Sequence, residues 1–234
     1  MGKLARIIAN ELKSLRFLAY RRGSSQDIVE QFHKLYYDVH ENVRKWKSTL
    51  WLGVPALKCP LDLWVYQEIL YERRPEVIIE TGTAMGGGAY FLASMFDLLG
   101  FGRVVSIDIE APDGRPDHPR IRYIQGSSIA PQVIEEVRRE IGAADRVMVI
   151  LDSDHRCDHV LSELRTYGPL VTRDQYLIVE DSNINGHPVL PDFGPGPMEA
   201  IDVFLRETDC FVVDSEREKY YMTFNPRGYL KKVR

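Results

Sequence analysis

Acidic residues end two neighbouring apolar stretches of the chain. Asp152 lies at the end of "RVMVILDSD", and Glu180 and Asp181 lie at the end of "QYLIVEDS". Adjacent parallel strands lie about 4.8 Å apart, so strands formed by these stretches would bring the three carboxylates together. Crowded carboxylates repel and raise one another's pKa unless a cation is present. Oxygen ligands without cysteines or paired histidines favour a hard ion such as Mg²⁺.

A histidine, His155, follows Asp152 closely in the sequence. An unperturbed imidazole titrates near neutral pH, so His155 is predicted to be the general base for an acceptor hydroxyl. A metal ion beside it would hold that hydroxyl and favour its alkoxide, which makes Asp152 catalytic as well as a ligand. Asp154 is either a further metal ligand or the partner that orients His155. The alternative is that one or two of these acids cap helices or face water.

A glycine-rich turn lies in "IIETGTAMGGGAYF", residues 78–91. A phosphate loop is unlikely because no lysine follows the glycines. The dinucleotide fingerprint lacks its second glycine, since Ala84 stands there, which weakens an NAD-binding interpretation without excluding it. The remaining pattern of Glu80, Gly82 and Gly86 resembles motif I of S-adenosylmethionine (SAM)-dependent methyltransferases.

The later strand ends match the needs of the same cofactor. Glu80 is expected to face its cationic aminoacyl end, and a glycine turn leaves space for its adenosyl part. Asp108 ends the next strand and is predicted to accept both ribose hydroxyls, while Ser127 and Ser128 would face the adenine. Alternatively, Asp108 is a surface turn residue and the serines cap a helix. The predicted cofactor residues are Glu80, Thr81, Gly82, Thr83, Gly86, Asp108, Ser127, Ser128 and Asp152.

Short apolar runs alternate with amphipathic segments along most of the chain. The predicted helices cover residues 26–47, 61–73, 86–99, 130–142, 157–171 and 197–207; strands are predicted at 76–81, 103–109, 121–128, 146–154 and 175–182, with a possible antiparallel pair within 210–230. This alternation indicates an α/β fold with a mainly parallel sheet covered on both faces. Sites in such sheets lie beyond the carboxyl ends of the strands. We expect a helical arm or lid over residues 1–60 and a catalytic domain over residues 61–234.

The composition is that of a soluble globular protein, with 44% apolar residues and a net charge of −4 among 234 residues. This charge gives no reason to expect nucleic acid as a partner. Three widely spaced cysteines predict a reduced, cytosolic protein. Residues 1–22 carry six basic residues and one acidic residue, with apolar residues at helical spacing. They predict a helix packed on its own domain or a partner subunit, or alternatively one that contacts anionic membrane.

A narrower resemblance covers roughly residues 25–230. The segments "TLWLGVPALKCPLDLWVYQEI", "ETGTAMGGGA", "LDSDH", "VEDSNINGHPV" and "GPGPMEAI" together resemble the cephalosporin hydroxylase / rhamnosyl O-methyltransferase family. The resemblance implies a Rossmann-like, doubly wound fold of seven strands, SAM, Mg²⁺ and homo-oligomeric assembly. By position it implies Asp152, Glu180 and Asp181 as metal ligands. Related macrolide-sugar methyltransferases have a histidine base where His155 stands. Catechol-type relatives have a lysine near that position, so the resemblance does not imply a catechol as the methyl acceptor of this chain.

We therefore predict a Mg²⁺-dependent O-methyltransferase acting on a hydroxyl of a sugar, glycolipid or glycosylated natural product. The segment 183–197 and the N-terminal helices would form its acceptor pocket, because long Pro/Gly loops at sheet ends are usually functional. Lys58, Tyr66 and Gln67 are expected to help close over the cofactor. The alternatives are an NAD-linked oxidoreductase and a non-catalytic assembly module. Iron-dependent oxygen chemistry is disfavoured, because it needs two histidines and a carboxylate.

Overall fold

The computed structural model describes residues 24–37 and 45–234. The helices are α1 (Ser24–Tyr37), α2 (Pro60–Arg73), α3 (Gly87–Leu99), α4 (Pro131–Ile141), α5 (Cys157–Tyr167) and α6 (Pro197–Glu207). The strands are β1 (Leu50–Trp51), β2 (Val54–Pro55), β3 (Val77–Thr81), β4 (Arg103–Asp108), β5 (Ile121–Gln125), β6 (Val147–Leu151), β7 (Tyr176–Val179), β8 (Phe211–Val213) and β9 (Tyr229–Lys232).

Seven strands form one sheet in the order β5-β4-β3-β6-β7-β9-β8, and β1 and β2 form a separate hairpin. The pairs from β5 to β7 are all parallel, whereas β9 runs antiparallel to both of its neighbours. This confirms the predicted seven-stranded, mainly parallel sheet with an antiparallel C-terminal strand. The chain leaves β3 towards β4 on one side and returns to β6 on the other, so the strand order reverses beside β3. Ligands of open α/β sheets bind at such a point.

Alternate residues of the strands pack into two different cores. Ile79 and Val149 belong to the core beneath α4, α5 and α6, whereas Ile78 and Met148 belong to the core beneath α2 and α3. Successive strand side chains point to opposite faces, so strands buried on both sides need apolar residues at nearly every position. The near-continuous apolar runs in the sequence therefore reflect a doubly wound sheet, as predicted.

Several predicted boundaries differ from the structure. Helix α1 is described over Ser24–Tyr37, and Lys45–Ser48, which includes the predicted helix end at residue 47, forms a 3₁₀ turn. Between the predicted helices 26–47 and 61–73, where no element was predicted, the structure has the β1–β2 hairpin. The predicted antiparallel pair within residues 210–230 is present as β8 and β9, but β9 covers only Tyr229–Lys232. The residues just before β9 make local contacts instead, such as the bond from Gly228 N–H to the Asn225 carbonyl.

Helix α1 docks against the end of the sheet that carries the acidic residues. Tyr37 lies in a small buried cluster with Cys59 and Phe224, and the His33 ring stacks on Phe224 at 5.8 Å. The predicted helix of residues 1–22, with its membrane or subunit contact, lies outside the described residues. The division at residue 60 stays a prediction. Of the described helices, none is both long and apolar enough to cross a bilayer.

Candidate active site

The glycine turn after β3 holds three strand ends together. The Gly82 N–H donates to the carbonyl of Ile107, and the Asp152 N–H donates to the carbonyl of Thr81. Gly82 has φ +87°, and a Cβ there would lie 1.8 Å from the carbonyl oxygen of Asp152. Both the left-handed backbone and the close approach require glycine at this position.

The next three glycines shape the start of α3. Gly86 is its N-cap residue, with φ +83°. A Cβ at Gly87 would lie 2.1 Å from the Pro55 carbonyl oxygen, and one at Gly88 would lie 2.6 Å from both Glu80 Oε1 and Lys58 Cε. The first turn of α3 therefore packs directly on the segment that carries Lys58. This part of the glycine pattern serves tertiary packing beside the cavity.

A cavity of about 490 Å³ opens at the carboxyl ends of β3, β4, β5 and β6. Its size is within the usual range for small-molecule sites. The predicted site residues that line it are Glu80, Gly82, Thr83, Asp108, Ser127, Ser128, Asp152, His155 and Asp181. Three others do not line it: Thr81 is a buried residue of β3, Gly86 caps α3, and Glu180 is bonded to Lys58 and Tyr66.

Glu80 is a buried carboxylate with one oxygen left without a hydrogen bond. Oε2 accepts a 2.6 Å bond from Ser106 Oγ, which lies 2.7 Å from Thr83 Oγ1. Within the described part of the chain, Oε1 has no hydrogen-bond partner, and Lys58 Nζ is 4.0 Å away. Burial raises the pKa of Glu80 to about 7, although Lys58 and Ser106 oppose the rise. Glu80 lines the cavity, and an unpaired acceptor on such a residue suits a cationic ligand group, because a buried unpaired polar atom is costly.

Asp108 lies at the end of β4, where the sequence predicted a ribose contact. Oδ2 accepts the Ala84 N–H at 2.8 Å, and Oδ1 accepts the Glu110 N–H at 3.0 Å. A carboxylate oxygen has two lone pairs, so each oxygen can accept a further bond from a vicinal diol. These backbone bonds fix the carboxylate in the direction of the cavity that it lines.

The sequence interpretation missed a polar network at the predicted adenine end. His159 Nε2 lies 3.3 Å from Ser128 Oγ and 3.2 Å from Ser153 Oγ, and Ser153 Oγ donates to Glu163 Oε1 at 2.7 Å. His159 and both serines line the cavity. The hydrogen bond with Glu163 raises the pKa of His159. The i, i+4 spacing of His159 and Glu163 on α5 was the available signal.

Asp152, His155 and Asp181 form the group of potential metal ligands found among the described residues, with ligand atoms within 4.8 Å of one another. His155 Nε2 lies 3.2 Å from Asp181 Oδ2, which also accepts a 3.4 Å bond from the Tyr37 hydroxyl. Asp181 has φ +53°, and its N–H donates to Asn225 Oδ1. A non-glycine residue in the left-handed region is strained, which is typical of functional sites.

Glu180 is held by two donors from the N-terminal part of the chain. Its Oε1 accepts bonds from Lys58 Nζ at 2.7 Å and from the Tyr66 hydroxyl at 2.8 Å. Lys58 Nζ also donates to Asp152 Oδ2 at 2.8 Å. Lys58 and Tyr66 were expected near the cofactor, but their direct contacts with predicted metal ligands were not foreseen. We call Glu80, Asp152, Glu180 and Asp181 the acidic cluster.

The charged groups of this site shift one another's pKa values. Burial raises the pKa of Asp152, Glu180 and Asp181, and repulsion within the acidic cluster adds to the rise. Burial alone would lower the pKa of Lys58, but the carboxylates of Asp152, Glu180 and Glu80 outweigh it and raise that pKa well above its usual value. The lysine is therefore a fixed cation within the acidic cluster.

Asp154 pairs with Arg156, and its carboxylate accepts bonds from the Arg156 Nε at 3.0 and 2.9 Å. These bonds lower the pKa of Asp154 to about 2. The structure thus joins Asp154 to Arg156 and joins His155 to Asp181.

In the loop after β7, His187 Nε2 lies 2.9 Å from Glu199 Oε1, so this histidine is tied to α6.

Comparison with known proteins adds sequence and fold relatives. The sequence model of a family described as Rhamnosyl O-methyltransferase/CmcI matches residues 43–233. A rhamnosyl O-methyltransferase of Mycobacterium leprae is 42% identical over 219 residues, covering 91% of this chain and 93% of the relative. One from Mycobacterium tuberculosis is 40% identical over 213 residues, covering 88% and 85%. A solved CmcI structure with Mg and SAM is similar in fold, with a TM-score of 0.64 at 21% identity, covering 80% and 78%.

Proposed function

The chain belongs to the Rhamnosyl O-methyltransferase/CmcI family, and on that premise we propose that it is a SAM- and Mg²⁺-dependent O-methyltransferase. The observation that carries the proposal is the meeting of two features at one cavity. Buried Glu80, which has the unpaired Oε1, lines one part of it, and Asp152, His155 and Asp181 line another. The first suits the cofactor's cationic end and the second suits a metal ion with a base.

The residues around the cavity fit SAM. Glu80 supplies a carboxylate oxygen for the α-amino group, and Asp108 supplies two oxygens for the ribose diol. Ser127 and Ser128 are the predicted adenine contacts. Ala84 stands where a dinucleotide-binding turn needs its second glycine for the close approach of the pyrophosphate, which favours SAM over the NAD-linked alternative.

The donor set also fits Mg²⁺. Asp152 and Asp181 offer carboxylate oxygens that one ion can share, and Mg²⁺ is usually bound by one or two carboxylates with water and substrate. The bonds from Lys58 and Tyr66 both reach Oε1 of Glu180, so we propose Oε2 as its ligand atom. The imidazole of His155 is a poor ligand for this hard ion and is left to move a proton.

These side chains divide the chemistry among them. When bound, SAM supplies the electrophilic methyl group and Mg²⁺ lowers the pKa of an acceptor hydroxyl. His155 would take the hydroxyl proton at Nδ1, because Nε2 donates to Asp181 Oδ2 at 3.2 Å and Asp181 orients the ring through that contact. Asp181 is oriented in turn by the Tyr37 hydroxyl and by Asn225.

For the acceptor we propose a sugar hydroxyl, first of all that of a rhamnosyl group on a glycolipid or glycosylated natural product. The support is the 40–42% identity to proteins that are named for this acceptor. The loop after β7, together with α1, is our candidate for the acceptor pocket and lid. Homo-oligomeric assembly, a peripheral membrane contact of residues 1–22 and a cytoplasmic location stay predictions.

The proposal is tested by incubating the protein with SAM, Mg²⁺ and a panel of rhamnosides, other glycosides and catechols, and by detecting methyl ethers by mass spectrometry. We expect methylated glycosides, and loss of product when EDTA replaces Mg²⁺. Heats of binding with SAM and with NAD(H) separate the main alternatives. Binding of NAD(H) without SAM would support an oxidoreductase, and binding of SAM and metal without any methylation would support a non-catalytic module.

Asp152→Asn and Asp154→Asn form a matched pair for the same assay. Asp152 lies within the metal group, whereas Asp154 pairs with Arg156 two residues further on. Asp152→Asn should reduce turnover by orders of magnitude and leave SAM affinity nearly intact. Asp154→Asn should keep both the turnover and the SAM affinity close to those of the wild type. Equal loss of turnover and SAM affinity in Asp152→Asn would assign Asp152 to the cofactor instead.

A further inference from the structure

Lys58 lies within the acidic cluster, between Glu80 near the proposed cofactor and Asp152 and Glu180 near the proposed metal ion. Its Nζ is 4.0 Å from Glu80 Oε1 on the cofactor side. On the metal side it is 2.8 Å from Asp152 Oδ2 and 2.7 Å from Glu180 Oε1. The lysine is only 4% exposed, so water screens these interactions little.

The fold fixes the position of the Lys58 side chain. Lys58 follows the β1–β2 hairpin, and Leu57 before it has φ +57°. The lysine stem passes the first turn of α3 where Gly88 leaves room, since a Cβ there would lie 2.6 Å from Lys58 Cε. The left-handed backbone at Leu57 and the absence of a side chain at Gly88 indicate that the Lys58 ammonium group is held in one position.

The charges at this place do not balance. Three carboxylates lie within 4.0 Å of one lysine, so the ionised group of Glu80, Asp152 and Glu180 keeps a net charge of −2 with Lys58 and would have −3 without it. Buried carboxylates without a counter-charge are costly, which means that the lysine stabilises the cluster when no metal is bound. The same positive charge repels an incoming divalent cation.

From this arrangement we infer that Lys58 is a built-in counter-cation that holds Asp152 and Glu180 together in the metal-free protein and thereby sets the affinity of the site for its divalent ion. The inference rests on the proposed metal site and adds a positioning residue to it. Lys58 acts through its two carboxylate partners. It lets the acidic cluster exist before the ion arrives, and it keeps the ion exchangeable by limiting the net negative charge.

The test compares Lys58→Met with a matched control, Lys232→Met. Methionine keeps the length of the lysine stem without its charge. Lys232 is a partly buried lysine whose Nζ donates to the carbonyls of Gly168 and Val171, away from the cavity. Mg²⁺ binding is measured by calorimetry without SAM, and thermal unfolding is measured in EDTA and in excess Mg²⁺. Neither readout depends on finding the acceptor.

We expect Lys58→Met to unfold at a lower temperature than the wild type in EDTA and to recover much of that loss in Mg²⁺. Its Kd for Mg²⁺ should fall by about tenfold or more, because one close positive charge is gone. Lys232→Met should show the wild-type Kd and the wild-type gain in unfolding temperature on adding Mg²⁺. A side chain that only fills space would lower the unfolding temperature equally in EDTA and Mg²⁺.

An unchanged or weaker affinity for Mg²⁺ in Lys58→Met would overturn the inference while leaving the proposed function in place. Failure of the wild type to bind Mg²⁺ at all would overturn the proposed metal site first and the inference with it. If Lys58→Met does not fold in EDTA, Lys58→Met/Glu180→Gln supplies the second test. The double variant removes one uncompensated carboxylate and should fold more stably in EDTA than the single variant; no gain would reject the counter-cation role.

Discussion

His155 Nε2 lies 3.2 Å from Asp181 Oδ2, so the proposed base and a proposed metal ligand are in direct contact. The contact fixes the imidazole ring at the cavity wall. We expect His155→Ala to lower kcat by about 10²- to 10⁴-fold near neutral pH, the usual contribution of a general base. SAM affinity should stay near that of the wild type, because the predicted cofactor contacts are made by other residues.

The pH–rate profile separates a base from a structural histidine. In His155→Ala the rate should partly return as pH rises, because the acceptor hydroxyl then ionises without the imidazole. His118→Ala is the control, since His118 contacts the surface carboxylate of Asp97 at 3.0 Å and should keep the wild-type profile. A His155→Ala profile that stays flat with pH would argue against proton transfer by this residue.

Glu80 is predicted to recognise the amino group of the cofactor. Its Oε1 is buried and lacks a hydrogen bond from any residue of 24–37 or 45–234. Glu80→Gln keeps the size but not the charge, so its affinity for S-adenosylhomocysteine should fall by about tenfold or more, as for loss of a charged hydrogen bond. Affinity for 5′-methylthioadenosine, which has no aminoacyl group, should not change in calorimetry. Equal weakening of both ligands would mean that Glu80 supports the cavity rather than the amine.

Gly82 and Gly114 provide a matched pair of left-handed glycines. Their φ values are +87° and +88°, but a Cβ at Gly82 would meet the Asp152 carbonyl oxygen at 1.8 Å, whereas one at Gly114 would have no atom of residues 24–37 or 45–234 within 4 Å. Gly114→Ala should cost about 1 kcal/mol of unfolding free energy from the backbone alone. Gly82→Ala should cost at least about 2 kcal/mol more, because an unrelieved clash adds to it. Denaturant unfolding measures both, and similar losses would show that the β3–β6 contact relaxes easily.

The strand ends could be predicted from the sequence because each strand is local and apolar. Asp108 ends β4, Asp152 follows β6 and Asp181 lies two residues after β7, and parallel pairing brings them to the same edge. Lys58 could not be predicted as a partner of Asp152 in this way. It is 94 positions away and lies in a stretch without helical or strand periodicity. Its place depends on packing of the β1–β2 hairpin against α3, which no local pattern records.

The glycine run illustrates the same limit. Gly82 could be identified as a turn residue because it follows an apolar strand directly. Gly87 and Gly88 belong to the same motif by sequence, yet they make room for Pro55 and Lys58. A glycine marks only the absence of a side chain, so the sequence cannot tell whether ligand or backbone occupies the space.

Glu199 is expected to make stability depend on pH at acidic values. Burial by itself would raise its pKa, but hydrogen bonds from His187, the Gly196 N–H and Asn185 outweigh it and lower the pKa to about 2. The folded-state pKa therefore lies below the usual value of 4.5. For a lowered carboxyl pKa, the stabilisation is complete above the unfolded-state value and is lost as pH falls through the folded-state value. The difference in unfolding free energy between wild type and Glu199→Gln should thus shrink from pH 4.5 to pH 2. Urea unfolding at each pH measures this difference. As a control, substitution of the exposed Glu135 by Gln should change the unfolding free energy little at any of these pH values. A difference that is constant with pH would mean that Glu199 acts by packing, and the carboxylate would then not be what ties the loop after β7 to α6.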